Sequence, residues 1–310
     1  MRQQTTCNIL MVRPAHFAFN EETATNNAFQ NNDTSVTPET IRQSAIKEFD
    51  TFVERLKKAG VNVIVAPDSP KPVKPDAVFP NNWVSFHQEN LIVTYPMFAP
   101  TRRHERRRKI LEIVEEAGFS YDRRITLENE EKRDVFLEGT GSIVFDHKHR
   151  LAFACRSART NIDLLNKLCT RLQYRPVVFQ AADQNGKEIY HTNVMMAMGE
   201  SFVVVCLDSV RDAEERRSLE QVFKDTKKIV VDISLAQMNA FAGNMLQVRS
   251  RDNQTHLVMS EQAFKVLTPE QIKLLERYTK LLPVPIYTIE KYGGGSARCM
   301  MAEIFEPIKK

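Results

Sequence analysis

The order of the predicted secondary-structure elements restricts the fold of this chain more than any other feature. Short runs rich in β-branched and aromatic residues alternate with amphipathic helical patterns along the whole chain, with two or three strands for each helix. A doubly wound parallel sheet alternates strand and helix one to one, so the pattern does not favour that architecture. The pattern predicts an α/β fold built of several small units packed around an axis.

The predicted elements are distributed over the full length. The clearest helix is predicted at residues 38–58, where apolar residues recur at helical spacing and Ala59-Gly60 ends the pattern. Further helices are predicted at 103–117, 160–173, 211–224 and 269–281. Strands are predicted at 7–12, 61–66, 83–86, 91–95, 141–145, 151–154, 194–198, 202–207, 228–232 and 257–260.

Two irregular segments interrupt these elements. Residues 20–38 are rich in Asn and Thr and lack periodicity, which predicts a long loop, and loops of that length in a compact domain are usually functional. The Pro-rich run at 70–75 is a stiff connector rather than a linker, because strong motifs lie on both sides of it. We therefore predict one domain, residues 1–310.

The composition argues against several classes of protein. Hydrophobic residues make up 42% and charged residues 26% of the 310 residues, which is typical of a globular chain with a real core. The net charge of +4 is too small to indicate nucleic acid by itself. No secretory signal is visible, and no run approaches the roughly 18 apolar residues of a membrane span. Five cysteines without a CxxC motif fit a reducing cytoplasm with neither disulfides nor structural zinc.

Cys299 is the first candidate for catalysis. It follows three consecutive glycines, residues 293–295, and opens an apolar run that is predicted to be a strand. Glycine runs occur where backbone passes close to a ligand, and a thiol on a rigid edge is well placed as a nucleophile. The alternative is a buried structural cysteine. The other four cysteines lie in plain strand or helix patterns and are assigned to the core.

His191 and Glu138 are two further candidates. His191 stands at the head of an apolar run after a polar turn, where a histidine can act as a general acid or base. Glu138 follows an apolar run and precedes Gly139-Thr140-Gly141, so its carboxylate needs a partner, and orienting a histidine would provide one. Taken alone, each has an ordinary alternative, a core or surface histidine and a solvated glutamate.

In the order Glu138, His191, Cys299, these motifs resemble the guanidino-group-modifying superfamily of arginine and agmatine deiminases, dimethylarginine dimethylaminohydrolases, succinylarginine dihydrolase and amidinotransferases. Residues 75–82, 99–105 and 157–161 resemble segments of dimethylargininase. The Phe-Pro-Asn-Asn-Trp form at 79–83 resembles the subgroup described as citrulline-utilisation hydrolases. The resemblance implies a fivefold pseudosymmetric α/β propeller, the pentein fold.

The resemblance implies a thiolate mechanism on a small amino-acid substrate, with no metal or other cofactor. Cys299 would attack the central carbon of a guanidino or ureido group and form a covalent intermediate. His191 would protonate the leaving nitrogen and then activate water, with Glu138 holding its imidazole.

The resemblance also assigns the substrate α-ammonium group to Asp76 and its α-carboxylate to Arg102 and Arg159. For Arg102 the residues give a separate argument. A helix at 101–118 capped by Thr101 would place it in the first turn, where a cation is tolerated if it shares an anion with the free N–H groups. The basic run 102–109 is alternatively a solvated face or phosphate patch, but it lacks the interleaved aromatics of a nucleic-acid site.

The sequence departs from the superfamily pattern at three amides. Members that act on a cationic guanidinium usually hold it with carboxylates, at positions that are Asn81, Asn82 and Asn193 here. An asparagine both donates and accepts, so it suits the C=O and NH₂ of a neutral urea. These residues therefore predict hydrolysis of a ureido amino acid such as citrulline, although Glu21 or Glu22 could supply a charge for a guanidinium.

Three alternatives remain open from the sequence. The chain could transfer an amidino group to an amine, or deiminate arginine or a methylarginine. It could also be a non-catalytic propeller that binds a macromolecule, against which the retention of all three catalytic groups argues. The sequence favours neither a nucleic-acid nor a membrane partner, and it leaves a homodimer open.

Overall fold

The computed structural model describes residues 2–25, 27 and 29–306, which form a mixed α/β fold. Its strands are β1 (Asn8–Arg13), β2 (Asn62–Pro67), β3 (Val84–His87), β4 (Leu91–Thr94), β5 (Arg123–Thr126), β6 (Val144–Asp146), β7 (Leu151–Cys155), β8 (Arg175–Phe179), β9 (Met196–Met198), β10 (Phe202–Val205), β11 (Ile229–Asp232), β12 (Leu246–Arg249), β13 (Thr255–Ser260), β14 (Lys280–Val284) and β15 (Ala302–Ile304).

Helices connect these strands, and several are single turns. They are α1 (Glu21–Ala24), α2 (Pro38–Lys58), α3 (Pro100–Arg103), α4 (Arg108–Glu116), α5 (Gly139–Ser142), α6 (Ile162–Leu172), α7 (Thr192–Met195), α8 (Ala213–Asp225), α9 (Leu235–Asn239), α10 (Glu261–Val266), α11 (Pro269–Glu276) and α12 (Tyr287–Gly293). Short 3₁₀ turns lie at Pro80–Asn82, Glu128–Arg133 and Leu207–Ser209. Within the described part of the chain, no helix is both long and apolar enough to cross a bilayer.

One pairing pattern recurs through the sheets. The first strand of a unit pairs antiparallel with the second, and the second pairs parallel with the third. Among the described residues this pattern occurs in β15-β1-β2, β3-β4-β5, β6-β7-β8, β9-β10-β11 and β12-β13-β14. A parallel pair needs a long crossover, so at least one helix lies between the second and third strand of each unit.

Strand β15 joins the two ends of the described chain. It pairs antiparallel with β1 and parallel with β3, which merges two units into a six-stranded sheet of order β2-β1-β15-β3-β4-β5. Residues near the C-terminal end are therefore fixed between N-terminal strands. Cys299 lies three residues before β15, so the pairing of β15 with β1 and β3 also restricts where the backbone of Cys299 lies.

Helix α2 shows how local sequence determines an element. Thr37 caps it by accepting a hydrogen bond from the Thr40 N–H, and Pro38 occupies its first position. One face is buried against β1 and β2, and it consists of Ile41, Ala45, Phe49, Phe52, Val53 and Leu56. Because cap, proline and apolar stripe agree, the predicted helix at 38–58 is confirmed with the same bounds.

The predicted helix at 103–117, with a cap at Thr101, is wrong at its start. The chain forms the short helix α3, breaks, and begins α4 at Arg108 with Arg107 as its N-cap. Arg102 is the third residue of α3, a single turn whose N-cap is Ala99, so this helix has no separate first and last turn. The cap at Thr101 and the long helix on which the argument for Arg102 relied are therefore wrong.

Other boundaries differ where the strands are short. The predicted strands at 141–145 and 194–198 begin with the helical turns α5 and α7, and the predicted helix at 269–281 ends at Glu276 because β14 follows. Strands β5, β8, β12 and β14 were not predicted, whereas the strand predicted to open at Cys299 is present as β15 and begins at Ala302. Two of them, β5 and β8, are half-exposed third strands whose residues do not alternate clearly between apolar and polar.

We expect the buried His87 to make stability depend on pH. Its Nε2 lies 2.7 Å from Ser85 Oγ, and burial together with the charge of Arg2 lowers its pKa to about 3. The unfolded chain binds this proton near pH 6.5, so the free energy of unfolding should fall by about 1.4 kcal/mol per pH unit between about pH 6.5 and 3 for this group alone.

The change His87→Gln should remove this part of the slope. Urea unfolding at a series of pH values measures it, and the exposed His104 provides the control substitution His104→Gln. Equal slopes in the wild type and His87→Gln would contradict the assignment.

Candidate active site

Most of the predicted catalytic and binding residues line one small cavity. It is lined by Thr23, Asn27, Asp76, Phe79, Asn82, Arg102, Arg159, Tyr190, His191, Gly293, Gly294, Gly295 and Cys299. Its free volume of about 20 Å³ holds roughly one water molecule. An amino-acid substrate can enter only if covering groups move, and the covering groups include Thr23 and Asn27 of the predicted long loop.

The glycine run brings the backbone of the 293–299 segment against an aromatic ring. A Cβ added at Gly293 or Gly295 would lie 2.9 Å from Phe79 ring atoms, so neither position accepts a side chain without a shift. Ser296 Oγ then donates to Glu290 Oε1 at 2.6 Å, and the Cys299 N–H donates to the Ser296 carbonyl at 3.0 Å. These contacts place the thiol at the cavity wall with 5% of the residue exposed.

Two side-chain amides contact the Cys299 thiol. Asn193 Nδ2 lies 3.5 Å from Sγ, and Asn244 Nδ2 lies 3.3 Å from it. Asn193 is two residues beyond His191, so one short segment carries the imidazole and also contacts the thiol. Asn244 was missed by the sequence reasoning, because nothing in its local sequence distinguishes it from other loop asparagines.

His191, which lines the cavity, is hydrogen-bonded to Glu138. Its Nε2 lies 2.7 Å from Glu138 Oε2, and both residues are almost fully buried. Burial lowers the pKa of His191 to about 4, although the carboxylate opposes this shift. The ionised Glu138 holds the proton on Nε2, so Nδ1 is the ring nitrogen left to accept or give a proton.

Arg159 keeps the Glu138 carboxylate ionised. Desolvation opposes the charge of Glu138, but the Arg159 guanidinium at 3.4 Å and the hydrogen bond from His191 outweigh it, and its pKa lies well below the usual range. Arg159 also donates to the Thr23 carbonyl at 3.1 Å and lies 4.8 Å from the Tyr190 ring centroid. Arg159 thereby connects the backbone at Thr23, the Glu138 carboxylate and the Tyr190 ring.

Arg102 is held by a carboxylate three residues away. Its Nε and Nη2 donate to the two Glu105 oxygens at 2.9 and 3.0 Å, and its Nη1 donates to Asn82 Oδ1 at 3.0 Å. Burial lowers the pKa of Arg102, but the charges of Glu105 and Asp76 outweigh it, and the net shift is upward. This bidentate pair, rather than a helix N-terminus, is what stabilises an arginine at this position.

Asp76 faces the same end of the cavity. Its Oδ2 accepts from Asn20 Nδ2 at 2.7 Å and from Thr23 Oγ1 at 3.3 Å, and it lies 3.9 Å from Arg102 Nε. Its Oδ1 is buried without a hydrogen-bond partner among the described residues. Burial raises the pKa of Asp76, which a cationic ligand would counteract.

The three predicted amides have unused hydrogen-bonding atoms. Within residues 2–25, 27 and 29–306, both amide atoms of Asn81, Nδ2 of Asn82 and Oδ1 of Asn193 are buried and unpaired. Asn82 lines the cavity and Asn193 contacts the thiol, whereas Asn81 contributes its backbone carbonyl to Thr140 Oγ1. The structure thus places every predicted site residue except Asn81 at the cavity or in contact with a residue that lines it.

The acidic residues of the loop do not reach the thiol end. Glu22 Oε2 accepts from the Thr101 N–H at 2.9 Å and from its hydroxyl at 2.7 Å, close to α3. Glu21 is exposed. Neither carboxylate is therefore placed as the counter-charge for a guanidinium beside Cys299.

Comparisons with known proteins identify the family and the fold. A family model described as N,N dimethylarginine dimethylhydrolase, eukaryotic, matches residues 13–306. A search of curated proteins finds no match.

Solved structures show the same fold. ArgZ, described as an arginine dihydrolase from the ornithine-ammonia cycle in cyanobacteria, superposes with a TM-score of 0.75 at 20% identity, over 97% of this chain and 41% of that chain. The chain therefore spans about two fifths of the length of that protein. The N-terminal domain of ArgZ bound to substrate gives a TM-score of 0.74 at 21% identity, over 97% and 99% of the two chains.

A dimethylarginine dimethylaminohydrolase, described as an adduct with S-methyl-L-thiocitrulline, gives a TM-score of 0.65 at 14% identity, over 96% of this chain and 99% of that chain. At these identities the solved structures establish the fold alone. It is the mixed α/β fold of the pentein enzymes.

We expect iodoacetamide at about pH 8 to label Cys299 and the half-buried Cys7 but not the other cysteines of the folded protein. Burial raises the pKa of Cys155 to about 11, of Cys169 to about 12 and of Cys206 to about 11, so these thiols stay protonated. Peptide mass mapping measures the labelling, with urea-unfolded protein as the control. Equal rates at Cys299 and Cys155 in the folded protein would contradict the nucleophile assignment.

Proposed function

We propose a specific reaction for this chain, which belongs to the N,N dimethylarginine dimethylhydrolase family and so to the guanidino-group-modifying hydrolases, as the motifs predict. The proposal is that Cys299 hydrolyses the guanidino group of free arginine or a close derivative through a covalent intermediate. The observation that carries it is the shared cavity of Cys299, His191 bonded to Glu138, and two buried arginines. Membership of the citrulline-utilisation subgroup stays a prediction.

The reaction takes place at the central carbon of the guanidino group. The Cys299 sulfur forms a C–S bond to that carbon while a C–N π pair moves onto nitrogen, which gives a tetrahedral adduct. His191 Nδ1 takes the thiol proton and delivers it to the departing nitrogen, and the C–N bond breaks with release of ammonia. Water then gives a proton to the same ring nitrogen and attacks the carbon. The C–S bond breaks, the imidazolium returns its proton to the sulfur to restore the thiol, and the hydroxyl proton of the adduct passes to solvent as the C=O of the product forms.

The protonation states support this cycle. With a pKa of about 4, the free imidazole is neutral near pH 7 and available as a base. The imidazolium that forms faces the ionised Glu138 at 2.7 Å, which stabilises it at the step where it is needed.

Substrate orientation would come from the charged residues that line the cavity. Asp76 Oδ1, which has no hydrogen-bond partner among the described residues, suits the α-ammonium group, and the guanidinium groups of Arg102 and Arg159 suit the α-carboxylate. A rigid clamp of this kind holds the guanidino carbon against Cys299 and supplies much of the rate enhancement.

The charges around the cavity favour arginine over citrulline. Two cations, Arg102 and Arg159, stand against the carboxylates of Asp76, Glu105 and Glu138. Burial raises the pKa of Asp76, and it raises that of Glu105 to about 7, so a ligand with net positive charge would keep all three carboxylates ionised. Arginine carries that charge at neutral pH, whereas citrulline is neutral overall. The solved ArgZ and AgrE structures with substrate or L-arginine favour arginine as well.

Citrulline is the second candidate, because of two amides, Asn82 at the cavity and Asn193 beside the thiol. Asn82 Nδ2 and Asn193 Oδ1 are buried and have no partner among the described residues, and they match the C=O and the NH₂ of a ureido group. Since replacing one terminal nitrogen of the arginine guanidino group by an oxygen from water gives citrulline, the same cavity could also hydrolyse both in succession.

We expect kcat/KM for arginine to exceed that for citrulline by roughly a hundredfold, because a site built for a charge discriminates strongly against its neutral analogue. Steady-state ammonia release measures both, with methylated arginines as further substrates. A preference for citrulline would contradict the charge argument. Turnover only in the presence of an added amine would indicate amidino transfer instead.

Cys299→Ala should abolish turnover, with a loss of at least about 10⁴-fold, while still binding substrate. The change Cys7→Ala is the matched control and should keep wild-type rates, because Cys7 lies outside the cavity. Acid quenching of the wild type during turnover, followed by intact-mass analysis, should show the covalent adduct on Cys299. An active Cys299→Ala protein would contradict the proposed function.

For the fold, we propose that the five three-stranded units are the blades of the fivefold propeller that the resemblance implies, and that residues 1–310 form one domain. Two observations support this: the repeated pairing pattern, and the position of β15 between β1 and β3, which closes the chain on itself.

A further inference from the structure

The loop between α9 and β12 carries an asparagine that the reaction as described does not use. Asn244 is 1% exposed, and its Nδ2 lies 3.3 Å from Cys299 Sγ. The same Nδ2 donates to the Asn193 carbonyl at 2.9 Å. Its Oδ1 accepts the Arg298 N–H at 3.1 Å.

These bonds fix which way the amide points. Rotating the Asn244 amide by 180° would set Oδ1 against the Asn193 carbonyl and Nδ2 against the Arg298 N–H, so both bonds would be replaced by repulsive contacts. The orientation that presents an N–H group to the thiol is therefore determined by the backbone on either side.

The backbone conformation of the loop between α9 and β12 places the Asn244 side chain beside Cys299. A Cβ at Gly243 would lie 2.2 Å from the Val194 carbonyl oxygen and 2.8 Å from the Met195 carbonyl carbon, so only glycine lets the loop lie against this segment. Phe241 adopts φ 64°, a left-handed conformation that is uncommon for an aromatic residue. Backbone in such a conformation is often associated with a functional site.

The geometry suits both protonation states of the sulfur. A neutral thiol can donate its S–H to Asn244 Oδ1 at 3.6 Å, and a thiolate can accept from Nδ2 at 3.3 Å. Asn193 Nδ2 adds a second donor at 3.5 Å. Among the described residues, the hydrogen-bond donors recorded at Sγ are these two amides and no Lys or Arg side chain. Ionisation of Cys299 therefore needs no rearrangement around it.

We propose that Asn244 is a catalytic residue that stabilises the Cys299 thiolate, and that Asn244 and Asn193 together form a neutral donor pair in place of a cation. The proposal deepens the proposed function and rests on it. A neutral pair leaves the cavity without an extra positive charge beside the nucleophile, so a cationic guanidinium can approach the thiolate without repulsion.

The test measures the reactivity of the Cys299 thiol in the absence of substrate. We would follow the rate of its alkylation by iodoacetamide between about pH 5 and 11 and compare the midpoint pH of the wild type with that of Asn244→Ala and Asn244→Asp. Loss of one hydrogen bond to an anion should raise the midpoint by about one to two pH units in Asn244→Ala, and an added carboxylate should raise it further in Asn244→Asp. Asn239→Ala, an exposed change at the end of α9, is the matched control and should leave the midpoint unchanged.

Thermal unfolding separates this role from a structural one. Asn244→Asp is nearly isosteric and keeps the acceptor for the Arg298 N–H, so it provides a folded variant if Asn244→Ala is destabilised. A folded Asn244→Asp protein with a wild-type midpoint would overturn the proposal, even if its melting temperature is lower. A shifted midpoint in a protein that hydrolyses neither arginine nor citrulline would support the role of Asn244 and reject the proposed function alone.

Discussion

The buried ion pair between Arg159 and Glu138 is the interaction on which the site depends. Glu138 has no access to water, so its charge survives only because Arg159, His191 and the Phe98 N–H at 2.9 Å surround it. The ionised carboxylate then determines the histidine tautomer. Because Arg159 also donates to the Thr23 carbonyl, the same pair connects α1 to His191. Removing either partner would leave an uncompensated buried charge, which typically costs about 3–5 kcal/mol.

Around this pair, charged side chains and amide side chains occupy different parts of the site. The end of the cavity at Asp76 and Arg102 is ionic, whereas the end at Cys299 is surrounded by Asn193 and Asn244. Ionic groups suit the charged ends of an amino acid, and neutral donors suit a reacting group whose charge changes during the reaction. This division explains why the amides, read from the sequence as ligands of a neutral urea, are compatible with a cationic substrate.

Sequence patterns within a single segment predicted those secondary-structure elements whose conformation is determined by neighbouring residues. Helix α2 has its cap, proline and apolar stripe within one segment, and its predicted bounds match the structure. The prediction of one helix at 101–118 failed because the chain breaks after α3 and α4 begins only at Arg108, and apolar spacing does not show that break. Asn244 had no signal at all, since its role arises from contacts with residues 51 and 55 positions away.

The sequence by itself predicted the alternation of strands and helices, and its resemblance to a known superfamily predicted Glu138, His191 and Cys299 as the reactive set. Only the tertiary structure decided which donors surround the thiol, which arginine pairs with which carboxylate, and how the chain ends meet at β15. The physical reason is that a motif reports the backbone conformation and chemistry of its own segment. The charge and hydrogen bonding of a buried group depend instead on the distant segments that replace water around it.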